Sequence, residues 1–121
     1  MFWQRKKAEL LVFRINELLQ TIILKESFLE IGRKNNLKRN GKKENIFKTG
    51  KSLNIIDETS SSRISRKHAT LKWNKLTKRY VLRDISQHGT TINNKKIISE
   101  TELNNKDVIG IGILRIQIIY A

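Results

Sequence analysis

The side chains best suited to chemistry in this chain are cations and hydroxyls set close together. Arg33 directly follows Gly32 at the end of an apolar run. A glycine–arginine pair at a strand end lets the guanidinium project from a loop edge, and its planar fork of donors suits a phosphate dianion better than any other side chain. Farther along, Ser65 stands beside Arg66 and Lys67, with His68 next. There a hydroxyl, loop amides and two cations could converge on one anion. A third group, Gln87-His88-Gly89-Thr90, sets an amide and an imidazole before a glycine. Taken singly, each has an ordinary reading. Most Gly-Arg arginines are solvated surface residues, and Ser-Arg-Lys-His can be a plain polar loop.

Other chemistries find little support. The chain has no cysteine, so disulfides and thiolate metal sites are excluded and an intracellular compartment is expected. It has two histidines. Ser65 and His68 lie within one loop-to-strand segment that turns them to different neighbours. No third group orients the imidazole and no oxyanion site is visible, so an enzyme is not expected, nor a metal or cofactor. The apolar runs Leu10–Phe13 and Ile116–Tyr120 are too short to cross a membrane. The apolar part of the N-terminus is too short for a signal peptide and is flanked by charges. The formal net charge of +14 points to an anionic partner: nucleic acid, phosphate or an acidic peptide. Joint overuse of lysine, asparagine and isoleucine supports compositional drift as an equal explanation.

These groups need a scaffold to position them. A chain of 121 residues is one domain, 1–121, able to bury a core over about 9–120 without staples. Short runs rich in isoleucine, leucine and valine predict strands at about Glu9–Ile15, Gln20–Leu24, Phe28–Gly32, Leu53–Ile56, His68–Trp73, Arg79–Asp84, Thr90–Ile92, Val108–Ile111 and Leu114–Tyr120. Many short strands and no convincing helix indicate an all-β sandwich or barrel. Asn93-Asn94 suits a tight primed hairpin turn because asparagine tolerates positive φ, and Asn16-Glu17 is a second candidate. Residues 34–52 carry many cations against one acid, Glu44, with Gly41 and Gly50 among them. They read as a long, basic, flexible loop.

Four islands fall in a recognisable order. Gly32-Arg33 is followed by Ser65-Arg66-Lys67-His68, then by His88-Gly89-Thr90-Thr91-Ile92-Asn93, then by Leu103 through Asp107-Val108-Ile109. This order closely resembles the forkhead-associated (FHA) family over about Glu9 to Tyr120. The resemblance implies a sandwich of two twisted, mainly antiparallel sheets, of the SMAD/FHA-like type, with functional loops at one end. It implies a module that binds phosphothreonine peptides and does no chemistry of its own. By the same resemblance Arg33 clamps the phosphate and Ser65 bonds it through its hydroxyl. Arg66 and Lys67 support the phosphate or the peptide, and Gly89 and Thr90 shape the loop edge. Gly32 and His68 brace the loops without touching ligand. The chain departs from the family pattern at His88, where most members carry an asparagine that bonds the peptide backbone. His88 and the preceding Gln87 are the candidates for that contact.

Trp3, Gly32-Arg33-Lys34-Asn35, Ile64 through Ala69 and His88-Gly89-Thr90 further resemble the nibrin branch of the family. Nibrins are the FHA-bearing subunits of the double-strand-break repair nuclease complex. That likeness implies a nuclear protein of the DNA damage response with that complex as partner. Two other readings stay open. One is a basic β-fold that binds nucleic acid, if only weakly and nonspecifically, with Trp73, Tyr80 and Phe47 as a stacking surface. The other is an FHA scaffold that has lost phosphate binding.

Overall fold

The computed structural model describes residues 5–34, 38–39, 42–43, 46–56 and 63–121; for 42–43 and 38–39 it describes the backbone alone. Alternation of apolar and polar residues builds the strands. In β1 (Ala8–Arg14) the side chains of Ala8, Leu10 and Val12 are buried and those between them are not. β14 (Leu114–Tyr120) repeats the pattern with Leu114, Ile116 and Ile118. A period of two places one face inward and leaves the other to solvent.

The remaining strands are β2 (Glu17–Leu24), β3 (Phe28–Lys34), β4 (Lys38–Arg39), β5 (Lys42–Lys43), β6 (Ile46–Thr49), β7 (Ser52–Ile56), β8 (Ala69–Asn74), β9 (Arg79–Asp84), β10 (Thr91–Ile92), β11 (Lys95–Lys96), β12 (Thr101–Glu102) and β13 (Val108–Ile111). One sheet runs β11-β10-β13-β14-β1-β2 and the other β12-β9-β8-β3-β7-β6, with β4 and β5 paired apart. Among the described residues every pairing is antiparallel except β3 with β7. The inner faces enclose one core that includes Leu10, Leu29, Ile31, Leu71, Leu82 and Ile116, each fully buried. The all-β sandwich of two mainly antiparallel sheets expected from the sequence is the observed architecture.

Arg79–Asp84, Val108–Ile111 and Leu114–Tyr120 coincide with their expected bounds. Asn93 and Asn94 take positive φ of 51° and 68°, as a type I′ turn requires. The other turn differs by one position. It is centred on Ile15-Asn16, and Ile15 takes φ 57°. Part of the segment read as a loop is strand: Ile46–Thr49 pairs antiparallel with β7, and Lys38–Arg39 with Lys42–Lys43. The strand forms there because Ile46 reaches the core. Residues 35–37, 40–41 and 44–45, on which the expectation of flexibility also falls, lie outside the described residues, as does Trp3.

Candidate functional site

The site is assembled at the end of the sandwich where β3 finishes and β8 begins. Gly32 makes the assembly possible. A Cβ on this residue would collide with the main-chain carbonyl of Arg66, so only glycine lets the 64–67 loop cross β3 this closely. The crossing is pinned by two main-chain bonds. The Arg33 N–H donates to the Ser65 carbonyl at 3.0 Å, and the His68 N–H donates to the Ile31 carbonyl at 2.9 Å. The half-buried Arg33 side chain then donates from Nε to the Ile64 carbonyl at 3.0 Å. That bond fixes the guanidinium against the residue preceding Ser65. Arg33 makes no ion pair among the described residues, so its terminal nitrogens remain for an anion.

His68 ties this loop to the next. Its Nδ1 accepts the Ser65 N–H at 3.0 Å, so the ring proton sits on Nε2, which donates to the Gly89 carbonyl at 3.0 Å. The ring is fully buried. Burial pushes its pKa below the ordinary histidine value, against the opposing pull of the Gly89 carbonyl and the Asp84 charge. The imidazole is therefore a neutral strut between two loops and faces no solvent. The Ser65 hydroxyl oxygen accepts the Gln87 N–H at 3.1 Å, which orients it and leaves its own proton to donate.

The second loop is built around Asp84. One carboxylate oxygen accepts the Ser86 N–H at 3.0 Å, the Ser86 hydroxyl at 2.6 Å and the Thr90 hydroxyl at 2.8 Å. The Ser86 oxygen accepts the Gly89 N–H at 2.8 Å in turn. Partial burial raises the carboxyl's pKa, but the Ser86 and Thr90 bonds outweigh it and the net shift is downward. Gly89 takes φ 97°, a conformation that favours glycine. Asp84 and Ser86 open the sequence island that ends at Asn93, but residue type alone assigned neither a role in the site. The signal was there, since aspartate two residues before serine is the spacing of an Asx-type turn.

Of the ten residues singled out by sequence, Arg33, Ser65, Gly32, His68 and Gly89 meet in one bonded network. Gln87 joins it through its main chain. Arg66, Lys67, Gln87 and His88 are exposed around the rim. Thr90 is fully buried with its hydroxyl committed to Asp84, so it holds the loop's shape and presents nothing to a ligand. A cleft of about 280 Å³ opens beside the network, with Arg33, Lys34, Arg66 and Lys67 on its walls. Four cations against one acid, Glu30, make this cleft electropositive, and Ser65 stands next to it in the bonded network without lining it. The stacking surface considered for nucleic acid is not formed by Trp73 and Tyr80. Tyr80 is fully buried, and the partly buried Trp73 packs edge-on against it at 4.9 Å between centroids.

The family model of the FHA domain matches residues 29–112. No curated protein gives a significant match. Among solved structures, the chain is similar to an FHA domain studied for phosphothreonine-dependent interactions, at 22% identity and a TM-score of 0.61 over 95% of this chain and 97% of that one. It is similar to EmbR of Mycobacterium tuberculosis, solved with a low-affinity phosphopeptide, at 21% identity and a TM-score of 0.64; the match covers 98% of this chain and 25% of EmbR. The yeast Pml1 splicing factor aligns at 17% identity and a TM-score of 0.69, over 98% of this chain and 82% of that one. At these identities the likeness is one of fold.

Proposed function

The chain belongs to the FHA domain family, and from that premise we propose that it binds a phosphothreonine-containing segment of a partner protein in the loops around Arg33 and Ser65. The observation that carries this reading is the Arg33 Nε bond to the Ile64 carbonyl, which holds a guanidinium beside a serine whose hydroxyl proton is uncommitted. Phosphothreonine brings nearly two negative charges and three acceptor oxygens. The terminal nitrogens of Arg33 and the Ser65 hydroxyl donate to those oxygens. Arg66 and Lys67 add charge at the rim, Gln87 and His88 meet the peptide backbone, and Gly89 with Thr90 sets the loop edge. Gly32 and His68 act only by holding the loops in place. Each charge-assisted bond contributes about 1.5–3 kcal/mol. Two or three of them, less the cost of ordering the peptide, give roughly micromolar affinity. No bond is made or broken, and no cofactor is needed.

Calorimetric titration tests the reading. A phosphothreonine peptide should bind, while its unphosphorylated form and single-stranded DNA should not. Arg33→Ala should weaken binding roughly 10- to 100-fold through the loss of one charge-assisted bond. Equal binding by Arg33→Ala overturns the site assignment. Phosphate-independent binding with a steep salt slope supports nucleic acid instead. Absence of any phosphopeptide affinity, regained in His88→Asn, identifies a scaffold that has lost its peptide contact.

A narrower reading comes from the nibrin-like islands. It places the phosphorylated partner in the double-strand-break repair nuclease complex and the protein in the nucleus. Its support is the wording of those islands alone, Gly32-Arg33-Lys34 and Ile64 through Ala69 foremost. Arg33-dependent accumulation of the tagged protein at induced DNA breaks tests it. A tagged protein that ignores the breaks while still binding phosphopeptide in vitro removes the repair role and leaves the binding module.

A further inference from the structure

The outer face of the second sheet carries a second concavity, away from the loop end. It is a cleft of about 590 Å³ over β8, β9 and the start of β3. The strand register lays out its floor. Phe28 lies opposite Lys72 and Lys72 opposite Val81, forming one row across three strands. Glu30, Thr70 and Arg83 form the next row. The β8–β9 turn supplies Lys75 and Leu76 at one wall, and Glu100 stands at another. From Phe28 to Arg33 along β3 is about 17 Å at 3.3 Å per residue, so the two sites are separate but on the same strand.

Three features of this face call for a partner. First, its apolar residues are open to solvent: Phe28 is 37% exposed and Leu76 is 94% exposed. Second, its cations are unmatched. Lys72, Lys75 and Arg83 are exposed and form no ion pair among the described residues, whereas Arg79 nearby is paired with Glu102. Third, an acid stands on its rim, Glu100, while Glu30, across Thr70 from Arg83, belongs to the lining of the first cleft. A phosphodiester backbone, which repeats one sign of charge, would be repelled where it crosses Glu100. A polypeptide can place its own acids over Lys72, Lys75 and Arg83 and avoid the rest.

We propose that this cleft is a phosphate-independent docking site for an acidic polypeptide segment that seats an aliphatic or aromatic anchor between Phe28, Val81 and Leu76. The anchor gains by burial what the exposed face leaves unmade, and the cations fix its orientation and speed encounter. A partner carrying both a phosphothreonine and such a segment would engage two sites at once, and the second event would be intramolecular.

The probe is a short unphosphorylated peptide of aspartates and glutamates around one phenylalanine and one leucine, titrated while amide NMR shifts are followed. Shifts should centre on Phe28, Lys72, Val81 and Arg83, and should persist in Arg33→Ala. Lys72→Glu combined with Arg83→Glu should weaken binding at least tenfold, as should a peptide with serine at both anchor positions. Both lysine and arginine are exposed, and the spectrum itself reports folding. Should the double variant lose its dispersed spectrum, Phe28→Ser makes the same test from the apolar side. Shifts confined to the Arg33 loops, no shifts at all, indifference to charge reversal, or equal occupancy of the cleft by oligothymidylate would each overturn the proposal. Because Arg33→Ala separates the two sites, failure here leaves the phosphothreonine reading standing, and the reverse also holds.

Discussion

The two ends of the sandwich both bury polar groups, and they use them differently. At the end distant from the loops, the Tyr120 hydroxyl accepts the Tyr80 N–H at 2.8 Å and donates to the Leu103 carbonyl at 2.8 Å. The Tyr80 hydroxyl donates to the Glu26 carbonyl. Tyr80 and Tyr120 stack with centroids 6.4 Å apart, and Trp73 packs on both. Lys7 lies over the Trp73 ring at 5.6 Å. Both tyrosine hydroxyls at that end are spent on the protein itself. At the loop end, His68 and Asp84 take up main-chain and hydroxyl donors so that Arg33 and Ser65 keep some of theirs. One end closes the structure, and the other holds a set of donors open. Preorganisation of this kind cuts the ordering cost on the protein's side and leaves only the peptide's to be met.

Substitutions at each end should break that contrast in different ways. The largest effect is expected from Tyr80→Ala, which empties a fully buried aromatic site. Urea unfolding should show a loss of about 3–5 kcal/mol, with any remaining folded protein binding phosphopeptide normally. His68→Ala should cost less, about 1–3 kcal/mol, because it leaves the Ser65 N–H and Gly89 carbonyl without a partner. Unlike the tyrosine change it should also weaken phosphopeptide binding, since two loops lose their strut. Normal binding by a folded His68→Ala protein would show that the loops hold themselves. Smaller still is Tyr80→Phe, which removes only the bond to the Glu26 carbonyl. A loss of about 1 kcal/mol is expected, with no change in affinity.

The smallest effect is one of pH. His68 has a pKa lowered by burial, so the unfolded chain binds its proton more readily than the folded one. That contribution to stability is fully present above the unfolded value of 6.5. It is lost as pH falls from there through the folded value. Thermal melts should therefore decline in that window for wild type and stay flatter for His68→Gln. Asp84, with its pKa also lowered, should add a second decline only below its unfolded value of 3.8. Identical pH profiles for wild type and His68→Gln would remove the imidazole from the account.

Much of the site was legible because its parts are local. Gly32-Arg33 and Ser65 through His68 announce a strand end and a polar loop by residue type alone. What could not be read was how the pieces share work. Asp84 looks like any strand-end acid until Ser86 and Thr90 fold back onto it. Thr90 reads as the start of a strand at the loop edge, and nothing local says that its hydroxyl is buried against Asp84. Trp73 and Tyr80 read equally as surface or core, because an aromatic in a strand has the same local pattern either way.

Period-two alternation and turn chemistry act within a few residues, and on their strength the chain by itself settled where most long strands lie and that Asn93-Asn94 turns. Tertiary structure alone decided the parallel pairing of β3 with β7, the strand at Ile46–Thr49 and the two-residue strands at Lys95–Lys96 and Thr101–Glu102. Such short segments carry no alternation of their own. They are strands because a distant neighbour offers hydrogen bonds. The guanidinium of Arg33 likewise reaches Ser65's loop only because a missing Cβ at Gly32 lets two separated stretches of main chain touch.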